Sequence, residues 1–303
     1  MINILRGSGI DVAVFERILG RGVNGETLGL ITRLHGRVGV SVLDRLSAAG
    51  FRDGDILRLV DDAERLGHLD AIGELTARGV TERLLRNGFD STRLVLLLDE
   101  LGVKGIETID GLIRGGVQQN PAIEAAQIAK QVGAVDEVHQ LSTSGNLENP
   151  LSLRNFLREV AGELAVGNFG KLTQLREAAL RSRGGRDALE KSSAGEADVI
   201  DLGRQEALQM KVVSSDKPAA VADNTNRAAG QLRGETGETP PPGFKTIVDI
   251  RITNGRNPMF MLERAQLLAE LRTNGVTQAA LAGVAEVRVT NGTGTHAFTP
   301  SEF

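Results

Sequence analysis

The sequence predicts an α+β protein: an N-terminal all-α helical region, then an α/β region built on a mixed sheet. Three observations carry this. From residue 1 to about 140, helix follows short helix. "SVLDRLSAAGF", "DGDILRLVDDAERLG", "LDAIGELTARG", "VTERLLRNGF" and "STRLVLLLDELG" each set Leu, Ile or Val three and four residues apart, and most stop on Gly. The polar stretch "STSGNLENP" (142–150) then marks a boundary. Beyond it, helical and strand-like periods alternate. The expected domains are 1–145, a helical delivery or packing domain, and 146–303.

In the first region "LSAAGFRDGDILRLVDD" and "LLRNGFDSTRLVLLLDE" resemble each other, with Gly50-Phe51 matching Gly88-Phe89 and Asp61-Asp62 matching Asp99-Glu100. A duplicated helical hairpin is expected. The glycines of "LGVKGIETIDGLI" are too far apart for the Gly-x-Gly turn of a helix-hairpin-helix DNA motif, so packing or delivery is the reading kept. In the second region "LSLRNFLREVAGELA" and "NFGKLTQLREAALRSRGG" are helical, and "RDALEKSS", "EADVIDL" and "EALQMKVV" are strands. "PAAVADNTNRAAGQLRG" is helical, "FKTIVDIRIT" alternates as a strand, and "PMFMLERAQLLAELRTNG" is helical. "AEVRVTNGTGTHAFTP" is a hairpin turning at "NGTG".

With no cysteine, disulfides, thiolate catalysis and Cys-ligated zinc are excluded, and the chain suits one that must unfold to cross a membrane. A net charge of −4 excludes a generally basic nucleic-acid coat, though not a local basic cleft. No apolar run reaches the ~18 residues of a spanning helix, so no membrane-spanning segment is expected. The opening "MINILRGSGIDVAVFERILG" lacks a basic stretch leading into an uninterrupted apolar run, so no signal peptide is expected, and the abrupt start suits a piece of a longer protein.

The chemistry is densest in "GEADVIDLGRQEALQMKVV" (195–213). In an extended strand Gln209 and Lys211 share one face, and Leu208, Met210 and Val212 face a core on the other. A hairpin brings Asp198 toward Gln209 and Lys211. Phosphodiester cleavage needs such a set: a carboxylate and a second oxygen donor for a hard divalent ion, and a lysine to hold or deprotonate the attacking water. Asp198 and Gln209 are the expected metal ligands. Glu196 enters the strand on the Asp198 face and is not required.

This stretch resembles the PD-(D/E)xK, or restriction-endonuclease-like, nuclease superfamily. "GEAD" resembles the strand with the superfamily's aspartate, placing Asp198, and "QMK" resembles the (E/Q)-x-K strand, placing Gln209 and Lys211. The order helix, three strands, helix, strand resembles the conserved core, over roughly residues 165 to 255. The resemblance implies a catalytic set of Asp198, Gln209, Lys211 and an acid from the first core helix, for which Glu177 is chosen and Glu163 is the alternative. Gln209 departs from the commoner glutamate. The cofactor implied is a divalent metal ion, Mg²⁺ first, with Mn²⁺ or Zn²⁺ as alternatives.

The architecture also resembles the C-terminal end of a bacterial polymorphic, contact-dependent toxin. It implies a nuclease secreted or translocated from its producer, acting on nucleic acid (DNA favoured over RNA) in the target-cell cytoplasm and neutralised by a cognate immunity protein. The main alternative is a non-enzymatic helical binding or delivery module with a degenerate nuclease-like tail. Deamination and ADP-ribosylation are disfavoured by the missing Cys and Tyr. Asp198, Asp201 and Lys211 also fit a solvated strand, and Glu177 a solvated helix face. His35, His68, His139 and His296 do not cluster in sequence.

Overall fold

The computed structural model describes residues 9–144, 150–182, 197–201, 203–234, 240 and 242–303. It is α+β, with the helices mostly N-terminal and a five-stranded mixed sheet in the C-terminal part. The chain divides into two compact units: Met1–Arg114 with Gln118–Lys130, and Gly115–Val117 with Gln131–Phe303. "RDALEKSS" and Glu196 lie outside the described residues.

The first unit holds α1 (Val12–Gly20), α2 (Gly25–Ala48), α3 (Asp53–Arg65), α4 (Leu69–Ala77), α5 (Val80–Arg86), α6 (Ser91–Arg114) and α7 (Gln119–Gln131). Asp11 and Asn24 start α1 and α2 by accepting backbone N–H groups of the first turn. The apolar stripes of α1 to α5 meet in a core that includes Phe15, Ile18, Ile31, Leu43, Ile56, Leu59, Ile72 and Leu84, all buried.

Two helices are broken from within. Gly36 in α2 has φ 56°, ψ −144°, and Gly102 in α6 has φ 71°, ψ 177°. Three residues on, a Cβ added to Gly39 would lie 2.5 Å from the Cβ of His35, and one added to Gly105 would lie 2.5 Å from the Cβ of Leu101. The two kinks are copies of one device. Gly22 and Gly88, Gly36 and Gly102, Gly50 and Gly116, and Gly67 and Gly133 all have positive φ, each pair 66 positions apart. The ion pair Arg17–Asp44 recurs at the same offset as Arg83–Asp110. The duplication therefore has a 66-residue period. The match of Gly50-Phe51 to Gly88-Phe89 joins two different halves of it, since Gly50 precedes the unbroken α3 and Gly88 precedes the kinked α6.

The second unit holds α8 (Val135–Thr143), α9 (Pro150–Ala165), α10 (Gly170–Ser182), β1 (Val199–Asp201), β2 (Glu206–Val213), α11 (Pro218–Leu232), β3 (Lys245–Ile252), α12 (Arg264–Thr273), β4 (Glu286–Asn291) and β5 (Gly294–Phe298). The strands lie in chain order. β2, β3 and β4 are parallel, and β1 and β5 flank them antiparallel. Parallel neighbours need crossovers. α11 supplies the one from β2 to β3, and α12 lies within that from β3 to β4. The β4–β5 hairpin turns on Gly292-Thr293, as "NGTG" predicts.

Strand alternation sorts the sheet into two faces. Ala207, Val213, Val248, Ile250, Ile252, Val287 and Val289 share a core with Val221, Ala228 and Leu232 of α11 and Leu267 and Leu271 of α12. Leu208, Met210 and Ile247 are buried on the other face, where α10 packs on β1 and β2. No described helix is long and apolar enough to cross a membrane.

The kinks give a direct test. At φ and ψ this far from any L-residue well, a side chain costs about 1–3 kcal/mol. Gly36→Ala and Gly102→Ala should each lower the unfolding free energy by that amount in denaturant titration. Gly54→Ala, inside α3 with open space at its Cβ, should leave stability unchanged or raise it by about 0.4–1 kcal/mol. Unchanged stability in Gly102→Ala would show that the break in α6 is not required.

Candidate active site

Pairing of Val199 with Leu208 carries Asp198, one residue before β1, to the side of Gln209. Its carboxylate is fixed from two directions. Gln209 Nε2 donates to Asp198 Oδ2 at 2.7 Å, and the Met210 backbone N–H donates to the same oxygen at 2.8 Å. A carboxylate only accepts. The amide of Gln209 must therefore turn its NH₂ toward Asp198, which aims Oε1 elsewhere. Gln209 is 2% exposed, and Oε1 has no hydrogen-bond partner. A buried acceptor left open costs about 1–3 kcal/mol.

Lys211 stands two residues along β2 on the same face, half-buried. Burial lowers the pKa of its amine from 10.5; Asp198 and Glu163 oppose this, and the charges of Lys171 and Arg227 reinforce it. Glu163, near the end of α9, accepts the Lys171 backbone N–H at 3.0 Å and so closes the first turn of α10. The Lys171 amine pairs with Glu159 at 3.3 Å and lies 5.4 Å from the centre of the Phe156 ring. Arg227 is exposed on α11. Asp198, Gln209 and Lys211 thus come together, and Glu163, Lys171 and Arg227 bring their charge to the same place.

One alternative is set aside and one expectation is revised. The face of Gln209 and Lys211 is not half-solvated: β2 lies between β1 and β3, and the same face carries Ala207 and Val213 into the core beneath α11. Glu177 does not join the group. Arg251 donates to Glu177 Oε2 at 2.6 Å and to Asp249 Oδ2 at 3.2 Å. Arg251 is paired with Val212 while Lys211 is paired with Ile250, so Arg251 and its partners occupy the opposite face. Of the two acids weighed on the helices, Glu163 is the one whose charge reaches Lys211. Arg227 gave no signal of its own, because an exposed arginine on an Ala-rich helix is what any solvated helix carries.

The remaining candidates have other partners. Asp201, fully buried, accepts the Arg204 N–H at 2.9 Å and closes the β1–β2 turn. His296 meets Thr293 at 2.8 Å on β5, the far edge strand from β1. His35 and His68 pair with Asp61 and Asp99 in the first unit. Among the described residues no group of three or more His, Cys, Asp or Glu is placed to hold a metal ion. Among the described residues, Asp198 and Gln209 bring oxygen atoms to the face that carries Lys211. This all-oxygen pair suits a hard divalent cation.

Replacing Asp198 by Ala removes the acceptor from two inward donors, and denaturant unfolding should show a loss of about 1–3 kcal/mol. Asp198→Asn should stay near the parent, because its carbonyl oxygen, set where Oδ2 stands, still accepts from both the Met210 N–H and Gln209 Nε2. Equal losses in the two variants would refute this pairing. On the opposite face, burial raises Asp249 above 3.8, against the pull of Arg251. As pH rises from 3.8, the native chain holds a proton that the unfolded chain has released, so this acid's contribution to stability falls. Relative to the parent, Asp249→Asn should therefore gain unfolding free energy as pH increases through that window. No protein-family model matches the chain, and no curated protein matches it.

Proposed function

We propose that the second unit is a metal-dependent nuclease of the PD-(D/E)xK kind that hydrolyses phosphodiester bonds, with DNA favoured over RNA. The observation that carries this reading is the Gln209 amide oxygen, buried and unpartnered beside a carboxylate, with a half-buried lysine next on the same face. Asp198 Oδ1 and Gln209 Oε1 would hold the ion, with Glu163 adding negative charge nearby. When bound, a divalent cation such as Mg²⁺ supplies Lewis-acid polarisation of the phosphate.

The chain's own residues do the rest. In the step, a water oxygen bonds to phosphorus, one bridging P–O bond breaks, and the departing oxygen takes a proton from solvent. Lys211 Nζ holds that water and takes its proton in the neutral form that burial and the neighbouring cations favour. Asp198 keeps Gln209 in place through its Nε2 bond, so one carboxylate orients both ligands.

The order of a helical unit followed by this module supports a wider proposal. The chain is part of a bacterial polymorphic toxin, delivered from its producer, acting in the target-cell cytoplasm and blocked by an immunity protein. The glutamine in place of a glutamate favours the second reading, a binding module with an inactive nuclease-like tail.

Cleavage decides between them. Supercoiled DNA and total RNA, incubated with the chain and Mg²⁺ or Mn²⁺, should be cut, and EDTA should stop it. Lys211→Ala should slow cleavage by ~10²-fold or more. Asp198→Asn should abolish it with circular dichroism unchanged, and Gln209→Glu should keep or raise it. If Lys211→Ala cuts at the parent rate, the active-site assignment fails.

A further inference from the structure

The duplicated helices do not all stay in the first unit. α2, α3 and α4 recur, end for end, as α6, α7 and α8: Gly25–Ala48 as Ser91–Arg114, Asp53–Arg65 as Gln119–Gln131, and Leu69–Ala77 as Val135–Thr143. The last pair buries the same three positions, Ile72, Leu75 and Thr76 in α4 and Val138, Leu141 and Ser142 in α8. Their surroundings differ. α4 lies in the first unit and packs on α2, α3 and α5. α8 falls in the second unit and packs on α10.

Two differences between the copies account for this. α4 comes close to α2 at Gly73, where an added Cβ would lie 2.7 Å from Val38 Cγ1. α8 carries His139 at that position, so the approach that seats α4 is closed to it. Where α4 has Ala71, α8 has Glu137, whose Oε1 lies 3.5 Å from Arg176 Nε on α10. One change removes the old seat, and the other puts a charge opposite the new one. α10 in turn packs on β1 and β2, and its Glu177 accepts from Arg251 of β3 at 2.6 Å.

We propose that α8 is a strap for the sheet module: a helix taken from the duplicated unit that holds α10 against the strands placing Asp198, Gln209 and Lys211. The module that carries the candidate site then starts near Gln131, ahead of the polar stretch at 142–150. The order of β1 and β2 depends on a helix that the duplication supplied. This role is independent of whether the site cuts nucleic acid.

Hydrogen exchange read by mass spectrometry on the full chain, with matched truncations in the two copies, tests the strap. Leu75 and Leu141 are counterparts, 0% and 1% exposed. Leu141→Ala should speed exchange in α10 and β2 by about 30-fold or more, the scale of a lost buried leucine, and leave α2 and α3 at the parent rate. Leu75→Ala should do the reverse, speeding α2 and α3 and leaving α10 and β2 unchanged. Val138→Ala removes less side chain and should give a smaller rise in the same α10 and β2 peptides, which keeps the test readable if Leu141→Ala does not fold. Parent-rate exchange in α10 and β2 in the α8 variants would overturn the proposal. So would faster exchange of α10 and β2 in Leu75→Ala, since α4 and α8 would then serve one cooperative unit alike.

Discussion

One carboxylate oxygen organises the candidate site. Asp198 Oδ2 accepts from the Met210 backbone and from the Gln209 side chain. The first bond ties the entry of β1, a three-residue strand, to the longer β2. The second removes the freedom of the Gln209 amide, because a carboxylate tolerates only its NH₂ end. The open oxygen at Oε1 follows from that, and so does the shared placement of Asp198, Gln209 and Lys211. If that oxygen is lost, β1 loses its anchor and Gln209 loses its orientation together.

The sheet explains why the two groups of charged residues stay apart. With β2, β3 and β4 parallel and in register, odd positions of β2 line up with even positions of β3. Gln209 and Lys211 therefore share a face with Val248 and Ile250, and Asp249 and Arg251 share the other with Met210 and Val212. Arg251 satisfies Glu177 and Asp249 on its side. Arg288 adds Glu206 and Glu286 to the same face. That network joins acids and bases in one set of ion pairs, within which Arg251 Nε is itself buried without a hydrogen-bond partner. The Lys211 side instead ties a carboxylate to an amide, and the atom it leaves open, Gln209 Oε1, is an acceptor, whereas the open atom of the opposite face, Arg251 Nε, is a donor.

Much of this was legible in the residues, and the failures have physical causes. Alternation of period two fixed which side chains of β2 travel together, and a short connection sufficed to bring Asp198 to them. The central position of β2, and hence the burial of Gln209, depended on which strands pair, which periodicity does not encode. Glu163 and Glu177 both sit on amphipathic helices, and only the rotation of α9 and α10 against the sheet decides which one faces Lys211. In the first unit the glycine stops were visible as helix ends. The 66-residue period was hidden because Gly36 and Gly102 break helices from within, where a glycine reads as tolerated rather than required.

The glutamine at 209 bears on how the proposed nuclease would work. A glutamate there would place a second formal charge against Asp198, and one of the two would be forced to accept a proton or a cation. An amide instead donates to Asp198 and keeps the pair stable without an ion. The consequence is weaker attraction for a divalent cation in the free chain, since Asp198 is then the one formal charge of the two ligands and the Lys211 amine lies on the same face. Substrate phosphate reverses that balance: its negative charge offsets that of Lys211 and offers the ion further oxygens. On this reading metal and nucleic acid bind with positive coupling, each completing the site for the other. The open Gln209 oxygen is then the contribution the protein holds ready before either arrives.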